Sequence, residues 1–214
     1  MVSDNLGFLL EGLKLTVGVS LVTMIVGLIG GLGIALMRVS NFRLMRICAY
    51  LYTEIFRTLP LLVLLFWVHW SIPILAGIAL TPFASAVLAF SLNVAAFQAE
   101  NYRAGIASIS PVQRQAGLAL GMTGAQVMRR VILPQAVARV IPITGSLWIA
   151  LFKDSSLASV IAVHELMYQG RVLAVTLFRP LEILTAVAII YVILLYPQAR
   201  IVNHLYRRYL PDAA

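Results

Sequence analysis

Three groups of ionisable side chains interrupt apolar sequence in this chain. Glu54 with Arg57, and Glu100 with Arg103, are each spaced i,i+3, which puts both members on one helix face. Lys153-Asp154-Ser155-Ser156 breaks a third apolar run. Such groups cost about 2.5–3.5 kcal/mol each inside a bilayer on insertion scales. Two readings account for them. Either acid and base neutralise each other so that a helix can enter lipid, or their polar atoms line a route for a polar solute.

The other reactive residue types support no catalytic chemistry. His69, His164 and His204 lie far apart, with no metal-ligand spacing. The single cysteine, Cys48, excludes an internal disulfide and a cysteine-based metal cluster. No serine–histidine pair, paired metal ligands or HExxH occurs. Neither of the two lysines, Lys14 and Lys153, follows a Gly-x-x-x-x-Gly phosphate-binding loop. The expectation is a chain with no enzyme activity, nucleotide site, cofactor or metal of its own.

Composition says what positions these residues. Of 214 residues, 61% are hydrophobic and 11% charged, against about 25% charged in a soluble domain. A bilayer solvent explains the shortfall, because lipid requires no charged face. The net charge of +8 flanks apolar runs and has no basic stripe interleaved with aromatics, so membrane lipid is expected as the partner and nucleic acid is not. The start, Met1-Val2-Ser3-Asp4 with Glu11 before the first lysine, lacks the cationic region of a cleavable signal.

About 20 apolar residues span a bilayer as a helix. The runs at 15–37, 59–80, 83–102, 135–151 and 181–196 predict five spans. The second starts either near Arg46 with a kink or near Thr58. The fourth continues towards Val163, and the fifth towards Val202. Gly27 and Gly31 form a GxxxG in the first span, with Gly30 and Gly33 beside it, which supports close helix packing. Thr81-Pro82 suits a cap followed by proline at the first helical position. Residues 163–180 read as a loop. The chain is thus an all-α polytopic membrane protein, one transmembrane domain over 1–214. Twelve arginines, from Arg38 to Arg208, fall on one side, against Lys14, Arg171 and Arg179 on the other. That bias puts the N-terminus outside and the C-terminus in the cytoplasm.

The loop at about 104–134 is then cytoplasmic. Ser110-Pro111-Val112-Gln113 reads as a capping box, and Gly121 as the stop of the helix it starts. At about 15 Å this helix is too short to span. Thr123-Gly124-Ala125-Gln126 starts a second short helix, which Pro134 closes. From these residues alone the pair is either an interfacial rest on headgroups or a docking knob for a cytoplasmic partner.

Gln115-Ala116-Gly117-Leu118-Ala119-Leu120-Gly121, followed by Ile132-Leu133-Pro134, resembles the EAA motif of ABC importer permeases. Gln115 stands where that motif has Glu, and Gly117 where it has the second Ala. Residues 52–62 (YTEIFRTLPLL), Phe97-Gln98-Ala99-Glu100 through Arg103-Ala104-Gly105-Ile106, and Lys153-Asp154-Ser155-Ser156-Leu157 resemble further segments of the polar amino-acid branch. The resemblance covers roughly residues 10–208. It implies a permease subunit of an ATP-driven importer in the bacterial inner membrane, with Gln115 to Gly121 as the helix that couples to a separate ABC ATPase subunit. It also implies a second permease subunit, identical or related, and an extracytoplasmic amino-acid-binding protein. For a zwitterionic solute, Glu100 and Asp154 are expected to face the ammonium, and Lys153, Ser155 or Asn93 the carboxylate.

Overall fold

The computed structural model describes residues 5–209. Eight helices follow one another: α1 (Leu6–Arg38), α2 (Arg43–Thr58), α3 (Leu61–Ala76), α4 (Pro82–Ala107), α5 (Pro111–Ala119), α6 (Gly124–Ile161), α7 (Leu166–Thr176) and α8 (Pro180–Tyr209). No strand occurs among the described residues. Helices α1, α4, α6 and α8 are each long and apolar enough to cross a bilayer, and α2 with α3 passes the same test as a pair bent by 107°.

The α1–α4 seam shows why the bent pair must be a crossing. A Cβ on Gly27 would lie 2.4 Å from Val94, and one on Gly31 2.9 Å from Gln98. Both partners advance along the chain together, so α1 and α4 run parallel. The intervening chain therefore returns across the bilayer, through α2 and α3. The GxxxG lies in this seam, while Gly33 faces open space. The main core gathers Val19, Leu64, Leu65, Phe90, Val94 and Leu151 around the same seam.

The bend in the pair has a local cause. Pro60 has no N–H and forces Leu59 into extended backbone, which ends α2. The kinked and the late-starting second span are thus both partly right: one helix begins at Arg43 and another after Pro60. The carbonyl of Phe56, which Pro60 cannot serve, accepts instead from Asn93 Nδ2 at 2.8 Å. The Tyr52 hydroxyl donates to the Leu92 carbonyl at 2.8 Å. These bonds fix the level at which α2 meets α4.

Three expectations need correction. Helix α1 begins at Leu6, not near residue 15, because Glu11 and Lys14 are no obstacle to a helix whose Leu9 and Gly12 pack on α7. Residues 163–180 are not a loop but contain α7, capped by the Glu165 carboxylate, which accepts from the amides of Met167 (2.9 Å) and Tyr168 (2.8 Å). Pro134 does not close the second loop helix. The Leu133 amide bonds to the Met128 carbonyl in a wide π-turn, which lets a ring without an N–H follow. Helix α6 therefore runs on through Pro134 and Pro142 and ends in a 3₁₀ segment, Ser155–Ile161, before Ala162 at φ 61°.

Candidate functional site

Helix α5 is a short rod with both ends closed. Ser110 accepts from the Val112 amide at 3.3 Å. The predicted capping box does not form there, because the Gln113 side chain turns away to accept from Gln135 Nε2 at 2.6 Å. At the other end Gly121 takes φ 80°. Its N–H bonds to the Leu118 carbonyl, and that of Met122 to the Gly117 carbonyl. That pattern is a Schellman motif, which satisfies the last carbonyls of a helix. The second box does form: Thr123 accepts from the Gln126 amide, and Gln126 accepts from the Thr123 amide.

The rod is fastened to α6. A Cβ on Gly117 would approach Val127 to 2.8 Å, so the position that departs from the motif's alanine is the one where this loop packs without room for a methyl. Gln113 reaches Gln135, and Arg139 Nη1 donates to the Ser108 carbonyl at 2.6 Å. Of the seven predicted coupling residues, only Gly117 is buried; Gln115, Ala116, Leu118, Ala119, Leu120 and Gly121 are exposed. Val112 (67% exposed), Leu118 (47%) and Leu120 (83%) give the rod an apolar outer surface. Helix α6 is continuous from Gly124 into the span, so the rod sits at the base of a helix long enough to cross the bilayer.

The structure scatters the five predicted path residues. Glu100 is clasped by two guanidinium groups: Arg38 Nη1 donates at 2.6 Å, and Arg103 chelates both oxygens. Asn93 holds the Phe56 carbonyl, and Ser155 donates to Phe152 O at 2.7 Å. Lys153 and Asp154 make no ion pair with each other. Lys153 is exposed in a groove between α6 and α8, beside Tyr191 and Tyr196. The Glu100–Arg103 pair closes at its i,i+3 spacing. The Glu54–Arg57 pair, at the same spacing, does not.

Two functional-looking groups escaped the sequence reading. Gln98, fully buried, donates to Thr144 Oγ1 at 2.9 Å and ties α4 to α6. Glu165, also fully buried, gathers α1, α7 and α8: besides the two α7 amides it accepts from Tyr191 OH at 3.0 Å and Thr16 Oγ1 at 3.4 Å. Glutamate is a poor predictor of a helix start, where Ser, Thr, Asp and Asn lead. Its partners sit 149 and 26 positions away, so no local pattern marks it.

Parallel α1 and α4, a broken second crossing and a capped rod braced on the next span describe the membrane component of a transporter. The chain belongs to the family described as "Binding-protein-dependent transport system inner membrane component", which matches residues 24–210. It is 37% identical over 188 residues to the probable amino-acid permease protein YxeN of Bacillus subtilis (87% of this chain, 84% of the relative). It is 36% identical over 187 residues to the arginine transport system permease protein ArtQ of the same organism (87% and 85%). Among solved structures it matches "Crystal structure of an amino acid ABC transporter with histidines" with a TM-score of 0.92 and 31% identity, covering 97% of this chain and 96% of that one. The EAA-like loop and the family match therefore agree, and this chain is a transport permease subunit.

Proposed function

We propose that this subunit imports a polar amino acid or related compound across the bacterial inner membrane, driven by ATP that separate ABC ATPase subunits hydrolyse. An extracytoplasmic binding protein delivers the solute, and a second permease subunit, identical or related, completes the path. The observation that carries the reading is α5: a rod capped at both ends, apolar on its outer surface and locked to the base of a continuous span. Exposed Leu118 and Leu120 suit a hydrophobic cleft better than water, and the Gly117–Val127 contact suits transmission of force. The amino-acid relatives support the substrate class.

With Asn93, Glu100 and Ser155 engaged inside the subunit, Lys153 and Asp154 are the predicted path residues whose charges are left for a solute. The test joins two measurements. With Ala119→Cys in the assembled transporter, a cysteine in the ATPase cleft cross-links under turnover, and absence of any cross-link removes the coupling role. Asp154→Asn, at normal membrane levels, lowers ATP-dependent amino-acid uptake; unchanged rate and affinity remove Asp154 from the path.

A further inference from the structure

Arg57, counted with the basic face by sequence, stands beside Phe97 at the level where Gly31 meets Gln98, about 10 Å along α1 from Arg38 towards the bundle centre, and the fold leaves its chemistry unfinished. It closes α2 and lies over the Phe97 ring, its guanidinium carbon 5.4 Å from the centroid. Its Nε is buried and has no hydrogen-bond partner, and the rest of the guanidinium makes no hydrogen bond or ion pair with any described residue. Glu54, one turn earlier on the same face and half-buried, likewise has no partner for its carboxylate.

The contrast within the molecule is informative. Glu100–Arg103 and Arg179–Glu182 have the same i,i+3 spacing, and both form ion pairs. Charge neutralisation would have closed Glu54–Arg57 too. Here the guanidinium carbon lies over Phe97 instead, 5.4 Å from the centroid, and two opposite charges stand side by side, unpaired, about 5–6 Å apart at the Cβ level. Unpartnered charges at membrane depth are costly and belong to solute or ion routes. A guanidinium offers a planar fork that fits a carboxylate bidentately. A carboxylate a few ångströms away offers acceptors for an ammonium.

We propose that Glu54 and Arg57 form a binding station for the zwitterionic head group of the transported solute: Arg57 takes its carboxylate and Glu54 its ammonium. This rests on the amino-acid import reading. The station is distinct from Lys153 and Asp154. Gln98 meets Thr144, so Phe97 lies about nine residues of α6 below Lys153, roughly 14 Å nearer the basic face at 1.5 Å per residue. A solute passing Asp154 would reach Arg57 next.

The experiment uses the complete transporter in proteoliposomes, with radiolabelled L-glutamine and L-arginine as probes. Arg57→Gln is expected to lower kcat/KM for import on the order of ten- to a hundredfold, the size of a lost charge-assisted bond. Arg57→Lys restores part of it, and Glu54→Gln loses a smaller factor. Receptor-stimulated ATP hydrolysis persists in all three. Import by Arg57→Gln at the wild-type rate overturns the proposal. If Arg57→Gln fails to assemble, phenylglyoxal labelling of the wild-type transporter decides instead, read on the Arg57 peptide by mass spectrometry. Protection by L-glutamine, which does not react with the reagent, but not by its decarboxylated amine, supports the station. Labelling unaffected by L-glutamine in a transporter that imports it overturns the station, as does labelling already blocked without solute, the mark of a carboxylate from the second permease subunit. Absence of ATP-dependent uptake of any amino acid by the wild type sinks the import reading itself and is recognisable as such.

Discussion

Replacing Gly31 with alanine tests the seam on which the bundle is built. The new Cβ would lie 2.9 Å from Gln98 Cβ, 3.0 Å from the Ala95 carbonyl oxygen and 3.1 Å from the Ala99 nitrogen, where ordinary contact begins at 3.4 Å. Two of the three obstacles are backbone, so no side chain can swing clear. Helices α1 and α4 must part by about half an ångström along their contact, and overpacking of this kind costs about 1–3 kcal/mol. Alanine's better helix propensity returns up to about 1 kcal/mol. The expected net loss for Gly31→Ala is ~1–2 kcal/mol. Gly33→Ala is the matched control: the same helix, the same added methyl, and nothing within 4 Å. It is expected to be neutral or slightly stabilising. Sodium dodecyl sulfate titration of the detergent-solubilised protein, followed by tryptophan fluorescence, measures both. If Gly31→Ala proves as resistant as Gly33→Ala, the close parallel approach of α1 and α4 is wrong, and with it the deduction that α2 and α3 cross back.

Three further outcomes follow from the same geometry. Asn93→Leu strips the Phe56 carbonyl of its donor and is expected to cost about 1–3 kcal/mol; adding Pro60→Ala restores a backbone N–H, and a double-mutant cycle in the same titration should recover part of that loss, additivity counting against the Asn93 role. Glu165→Ala leaves the Met167 and Tyr168 amides and the Tyr191 hydroxyl without an acceptor, so thermal unfolding should show a loss of about 1–3 kcal/mol or more, with Glu165→Gln less affected because it keeps one acceptor oxygen; equal losses would refute the capping account. Gly121→Ala places a Cβ at φ 80°, a strain of about 1–2 kcal/mol, which should loosen α5 and reduce uptake while the bundle resists unfolding as before; unchanged uptake argues against a need for a stiff rod.

Elements with a local cause are legible in the chain. Apolar runs long enough for a bilayer marked the spans, and Ser110, Gly121 and the Thr123–Gln126 box marked the ends of the loop helices, because capping is decided within a few residues. Gly27 and Gly31 announced a close contact, though not with which helix. Packing between distant segments settled the rest. It ran α6 through Pro134, where a π-turn absorbs the missing donor, and made a helix of residues 166–176, whose capping Glu165 is held, and whose apolar face is buried, by α1 and α8. It closed the Glu100–Arg103 pair and left Glu54 and Arg57 apart, with Arg57 over the Phe97 ring of another helix, although the spacing is identical. Spacing says which side chains can meet. Which of them do is settled by the neighbours that folding brings in from elsewhere in the chain.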